Sequence, residues 1–434
     1  MNNIQLKILS IILFILLIIF SIFKVNFNHE NYFFISIIII VFIGIFVFYF
    51  LRFDLKVQIL IFLIFSYSAI FIIELNYYKI FYSVCNSYNC IKEEKKIIEK
   101  KINNKVKYSV LPKNFIYDDN IIYPLSLHSK TFVIGANENN YLPHFFTDRY
   151  GFINDDKFYD NKNIDFLIIG DSYAMGATVN YEDNLQGQLK KNNKSVISFG
   201  MGGNGPLLAL ASLVEYGGEI KPKNIIYIFC ETNDLGHDLF LEKNNKILIN
   251  YFNKNFRQNL IFKKDLVQKT LDNKHASIDR AMNFQKSNIF SYLKLSNLRY
   301  HIGIKNKGEK NIDEKYESNK NYSFNQALDD TTLNSNFFLF DLILKRMKES
   351  SVNSNFYIFY VPEVSNFMNK KKSNTYNAVK NIALNNNINF IDINEKLKFK
   401  EKKFLKSMYP ENFQHPNEKG YKVWANIITN HVSK

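Results

Sequence analysis

Cysteine is scarce in this chain, with three residues in 434, so at most one disulfide can form within it. Cys85 and Cys90 lie close together, and an oxidising compartment would let them pair. Two free thiols is the alternative, because spacing alone does not set the geometry a disulfide needs. Cys230 ends the apolar run Ile225 to Cys230 and reads as a buried core residue. Nucleic-acid recognition motifs are also missing. The net charge of +15 would suit lipid headgroups, acidic glycan or nucleic acid, but lysine is scattered with asparagine and isoleucine along the chain, as in a compositional bias. Only the lysines between positions 92 and 107 are dense. Glu93, Glu94 and Glu99 interrupt them, which describes a solvated juxtamembrane helix.

A cleavable leader is excluded by a further absence, since no small-residue cleavage site follows Phe23, and the stretch Tyr32 to Leu51 carries no charge. What is present is apolar sequence at the N-terminus. Hydrophobic residues make up 47% and aromatics 16%, yet mean hydropathy is only -0.17, so the apolar residues are concentrated. Three runs, Ile8 to Phe23, Tyr32 to Leu51 and Val57 to Ile73, each approach the roughly 20 residues that cross a bilayer. They predict three transmembrane helices within residues 1–80. Lys7, Arg52 and Lys56 mark the inner side, against only Lys24 in the first loop. An odd number of crossings then makes everything after about Tyr77 extracytoplasmic.

Residues 81–162 are polar and irregular and read as a juxtamembrane connector without chemistry, packed on the next domain through Phe145, Phe146, Tyr150 and Phe152. From Asn163 onward, short apolar runs alternate with helical stretches. Ile164 to Ile169, Ser195 to Phe199, Ile225 to Cys230, Phe356 to Val361 and Ile388 to Ile391 are rich in Ile, Phe and Val without clean alternation, as in strands covered on both faces. Helices are expected at Asn184 to Lys191, Pro206 to Tyr216 and Asn336 to Glu349. The fold class is α/β, three-layered, with a parallel sheet. The long separation of the third and fourth strands predicts an insertion at about 239–330, helical and partly mobile.

Reactive groups in such a sheet gather at the carboxyl ends of strands. Those ends read Gly170-Asp171-Ser172, then Gly200 to Gly205, then Glu231-Thr232-Asn233-Asp234. His415-Pro416-Asn417 and Gly420-Tyr421 come near the C-terminus. A serine just after a strand, at the start of a helix, can present its hydroxyl above the sheet; an Asp-Ser helix cap is the commoner meaning of that tripeptide taken alone. A glycine turn lets backbone N–H groups approach an oxyanion, though such turns are widespread. Asn233 offers an amide donor, or simple turn chemistry. His415 can relay a proton, although a lone histidine is usually structural.

Taken in order, the four segments resemble the sequence blocks of the SGNH/GDSL hydrolase family over residues 163–434. The resemblance implies a flavodoxin-like three-layer fold and ester chemistry without cofactor or metal. It implies Ser172 as nucleophile, His415 as base, and an oxyanion hole from the Ser172 and Gly203 amides with Asn233. Two positions depart from it. Glu231 stands where the family usually has glycine, a carboxylate that would touch a polar substrate or serve as an alternative acid. Asn412 stands where the family has the aspartate that supports the histidine, so either a dyad operates, Asn412 orients the ring, or neighbouring Glu411 takes the role.

The expected function is that of a membrane-anchored esterase or O-acyl transferase acting on acylated envelope glycan or lipid. A catalytically impaired binding or assembly protein is the alternative, supported by Asn412 and Glu231. A transporter is disfavoured because the apolar runs hold almost no charge, with Glu74 at an end.

Overall fold

All five apolar runs that follow Asn163 become strands of one sheet in the computed structural model. It describes residues 51–75, the isolated residues 293 and 295, and, apart from short gaps that include 101–105, 109–115 and 411–414, residues 97–273 and 330–432. The strands are β1 (Ile164–Gly170), β2 (Val196–Ser198), β3 (Pro222–Cys230), β4 (Asn355–Val361) and β5 (Asn389–Asp392). They pair in the order β5-β4-β3-β1-β2, every pair parallel. This is a flavodoxin-like arrangement, whose strand order reverses between β1 and β3.

Alternate residues of each strand feed two separate cores, because successive side chains point to opposite faces of a sheet. Leu167, Ile169, Tyr227 and Phe229 pack with α3 (Pro206–Tyr216), α4 (Asp330–Glu349) and α5 (Asn374–Asn385). Phe166, Ile168, Ile226 and Ile228 pack with α2 (Leu185–Lys191) and α6 (Glu418–Val432), the latter through Tyr421, Trp424 and Ile428. Burial on both faces is why the strands show no polar alternation. Asn184 caps α2 by accepting from the Gly187 N–H at 2.9 Å.

Buried carboxylates organise the loops around this sheet. Asp148 accepts the Tyr150, Gly151 and Phe152 amides, the Asn154 side chain and the Tyr159 hydroxyl. Asn154 in turn pairs with β2 as a strand would, donating to the Ser198 carbonyl and accepting its N–H. Glu242, completely buried, accepts the Gly205 and Leu207 amides at 2.6 and 2.7 Å, and so caps α3 from outside the helix. Those N–H groups have no partner within the helix.

Two expectations change here. Residues 81–287 and 307–434 form one compact unit, and described residues of the 81–162 segment such as Ile122, Tyr123 and Phe152 lie in its core, so this segment is no mere connector. Phe145 and Phe152 are buried and Tyr150 packs on Tyr216, as expected, but Phe146 stays 44% exposed beside Phe132. The expected insertion is also integral over its first part, with Leu248, Tyr251, Leu260, Val267 and Leu271 in the core. The rest of the expected insertion, 274–329, lies almost wholly outside the described residues.

The second unit comprises residues 1–80 with 288–306. Among the described residues, one helix, Phe53–Leu75, is long and apolar enough to cross a membrane, with 23 residues and mean hydropathy 2.2. It contains the expected third span. The first two expected spans, Cys85 and Cys90 lie outside the described residues, and Cys230 is buried as expected.

Candidate active site

The site forms where the carboxyl ends of β1 and β3 meet. Gly170 closes β1 at φ +142°, and a Cβ there would lie 2.7 Å from the Ile228 carbonyl oxygen, so only glycine lets the chain turn this tightly against β3. Asp171 then caps α1 (Ser172–Met175), accepting from the Tyr173 N–H at 2.9 Å. Ser172 is thereby fixed at the first position of the helix.

His415 reaches Ser172 from the turn before α6. Its Nε2 lies 2.8 Å from the Ser172 Oγ, and its ring packs on Tyr173 with centroids 4.7 Å apart. The turn is held by Asn417, which donates its N–H to the Met408 carbonyl at 2.9 Å and accepts from the Gly420 N–H at 3.0 Å.

The carboxylate on the far side of the ring is Glu138. Its two oxygens lie 2.8 and 2.9 Å from His415 Nδ1, and one also accepts the His415 backbone N–H at 3.1 Å. Glu138 is mostly buried, its side chain 9% exposed. It comes from the loop between the short strands Phe132–Ile134 and His144–Phe146. That loop is pinned to the sheet domain on three sides. Asn139 donates to the Thr178 carbonyl at 3.0 Å, Tyr141 donates to Glu418 at 3.0 Å, and Gly135 packs so closely on Ala177 that a Cβ would sit 1.9 Å from its carbonyl oxygen.

The support for His415 thus comes from a segment expected to have no chemistry. Glu411 and Asn412 lie outside the described residues, and the Nδ1 they were expected to serve is already bonded to Glu138. Glu231 does not take that role either: its carboxylate accepts the Glu363 N–H at 2.8 Å, the Asn366 amide at 3.1 Å and the Ser373 hydroxyl. The carboxylate ties the end of β3 to the 363–373 stretch.

Gly203 has φ +82° in the turn before α3, a conformation that only glycine adopts without strain. A Cβ at its neighbour Gly202 would make ordinary van der Waals contact, 3.8 Å from Met175 Sδ and 3.9 Å from Ser172 Cβ. Asn233 stands beside the site with its amide committed, since Nδ2 donates to Asp171 at 3.0 Å and also to Asp238. An amide has two N–H donors, so both are used.

Asp171, Asp234 and Asp238 are all buried, and among the described residues they form the one group of carboxylates close enough to share a cation, with oxygens within 4.8 Å of one another. The Asn233 N–H donors take lone pairs of two of them. Tyr227 donates to Asp234 at 2.8 Å. Burial pushes the Asp171 pKa up to about 6, with the Asn233 hydrogen bond pulling the other way. Asp234 is raised well above the carboxylate range, by burial first and then by the charges of Asp171 and Asp238.

No family model and no curated protein matches the sequence. Solved structures do resemble the fold. The lipase/acylhydrolase from Enterococcus faecalis is 12% identical over 62% of this chain and 95% of its own, with a TM-score of 0.33. The esterase EstA from Pseudoalteromonas sp. is 10% identical over 63% of this chain and 97% of its own, with a TM-score of 0.30. The family 3 carbohydrate esterase from Clostridium thermocellum is 12% identical over 62% of this chain and 94% of its own, at 0.30. At such identities and scores these are resemblances in architecture alone.

Proposed function

We propose that this chain is a membrane-anchored serine hydrolase of SGNH type that works on carboxylic esters through a serine-bound acyl intermediate. The observation that carries the reading is the hydrogen-bonded series Glu138, His415, Ser172. In that series His415 Nδ1–H donates to Glu138, which leaves Nε2 to accept the serine proton.

Ser172 Oγ attacks the acyl carbon as His415 Nε2 takes its proton, and Glu138 offsets the charge of the imidazolium. The Ser172 and Gly203 amides receive the oxyanion. Collapse of the adduct expels the alcohol, which takes the proton from Nε2. Water, or an acceptor hydroxyl in a transferase, then repeats the sequence and frees the serine. Glu138 supplies the carboxylate that position 412 lacks. Attachment through apolar helices and an outward-facing unit favour acylated envelope glycan or lipid as substrate.

The second reading, a binding or assembly protein with this fold, is favoured by one observation, the commitment of both Asn233 donors to carboxylates. One experiment separates the two. A fluorophosphonate should label the full chain at Ser172 and fail on Ser172→Ala, and a panel of acyl esters should be turned over by the untreated chain but neither by the fluorophosphonate-treated chain nor by Ser172→Ala. A folded chain that neither labels nor turns over any ester would favour the binding protein.

A further inference from the structure

Two lysine-rich stretches far apart in sequence are neighbours in space. Lys370, Lys371 and Lys372 follow the helix Val364–Asn369, just beyond β4. Six more lysines lie between positions 396 and 406, just beyond β5. All are exposed. The stretches are joined directly: Lys370 Nζ donates to the Lys398 carbonyl at 2.6 Å, and Lys402 Nζ donates to Asn369 at 3.4 Å. Over 369–373 and 395–407 there are nine lysines against two glutamates, Glu395 and Glu401. One of these, Glu395, is paired with Lys398.

At the crest of this ridge stands Phe399, 89% exposed between Lys398 and Lys400. Leu397 beneath it is buried and holds the turn to the domain. Because every strand of the sheet is parallel, the segments after β4 and β5 emerge at the same end as Ser172. The ridge is also bonded to the turn that carries His415, through Lys419 Nζ to the Ser407 hydroxyl at 2.7 Å and Asn417 N–H to the Met408 carbonyl.

We propose that this ridge docks the catalytic end of the domain on an anionic bilayer surface. A soluble polyanion would use the ammonium groups and leave the phenyl ring in water. A bilayer uses both, taking the ring at the boundary of headgroups and acyl chains while lysine stems reach up to the phosphates. The same chain carries the apolar helix Phe53–Leu75, which would hold the ridge near a bilayer at high effective concentration. The docking stands on the surface alone and does not depend on ester hydrolysis.

The natural chain has one tryptophan, the fully buried Trp424, so Phe399→Trp adds a single surface reporter. The full-length variant is placed in nanodiscs of phosphatidylcholine alone or with phosphatidylglycerol, each with brominated acyl chains, and the unsubstituted chain serves as blank. The new emission should be blue-shifted and quenched in anionic discs and little changed in neutral ones. Lys398→Glu, Lys400→Glu and Lys403→Glu in that background should abolish the difference, each lysine lost weakening association about fivefold. Retained Trp424 emission shows that the variants remain folded, and Ser172→Ala should dock as well as its parent. Absence of quenching in anionic discs, or equal quenching in neutral ones, would overturn the proposal. So would a response to a soluble anionic polysaccharide alone, which would identify a polyanion as the partner.

Discussion

At the scale of single residues, the proposed mechanism makes the charge on Glu138 decide how well His415 works. Glu138→Gln keeps the shape but offers Nδ1 an amide in place of a carboxylate, and kcat on an ester should fall by about 10³- to 10⁴-fold. Asn412→Asp and Glu411→Gln should leave kcat nearly unchanged, because Nδ1 is already bonded. A large effect at 411 or 412 with none at 138 would reverse the assignment. Asn233→Ala should cost about 10²-fold in kcat if its amide turns to the oxyanion during reaction; a lowered melting point with unchanged kcat would show that it serves the buried carboxylates only. Asp171 gives a test by pH. Its native pKa is raised from 3.8 to about 6, so the folded chain holds this proton more tightly than the unfolded one, and stability present below pH 3.8 is lost as pH rises through about 6. Asp171→Asn can still cap α1, and its melting point relative to the parent should therefore climb across that window. Ser172 and His415 were legible because each lies beside a recognisable turn. Glu138 was not, since it follows no strand of the main sheet and stands in a loop of asparagines. The missing aspartate at 412 showed that a carboxylate was wanted, and nothing in the sequence said from where.

At the scale of elements, the loop carrying Glu138 is placed by its own close packing. Gly135→Ala would thrust a methyl group into the Ala177 carbonyl, so the loop must lift and carry the carboxylate away from His415. A displacement of about 1 Å costs on the order of 10²-fold, which should appear in kcat while the fold persists by circular dichroism. Unaltered kinetics would mean that Tyr141 and Asn139 suffice to hold the loop. Glu242→Gln tests the other end of the site. It puts an NH2 group in place of one of the two carboxyl oxygens that accept buried amides at the start of α3, and the melting point should drop by the equivalent of about 1–3 kcal/mol. The strands were legible as apolar runs, and α3 was legible to the residue, because Pro206 opens it and Gly217 ends it. The outside cap by Glu242 was hidden, because it joins residues distant in sequence. The lysine ridge was hidden for the same reason: two stretches that read as scatter become one surface only when β4 and β5 lie side by side.

At the scale of the whole molecule, the expected division into anchor, connector and catalytic domain becomes a division into two units, with the middle segment folded into the larger. Its boundary was misplaced because a polar segment rich in turns reads as linker even when buried side chains such as Ile122, Tyr123 and Phe152 hold it in the core. The topology that follows from the lysines and arginine near the apolar runs is open to a direct check. A reporter fused after Lys434 should be active only outside the cytoplasm, and a cytoplasmic signal would refute it. Where the chain is cut matters as much. The carboxylate and the histidine that share a proton are separated by 277 residues, so the machinery brackets nearly the entire larger unit. A fragment begun at the first strand of the main sheet would contain every segment by which a hydrolase of this kind is recognised, and yet leave out the acid and part of its core. Its silence in an assay would report where the chain was cut and would not count against the proposed activity.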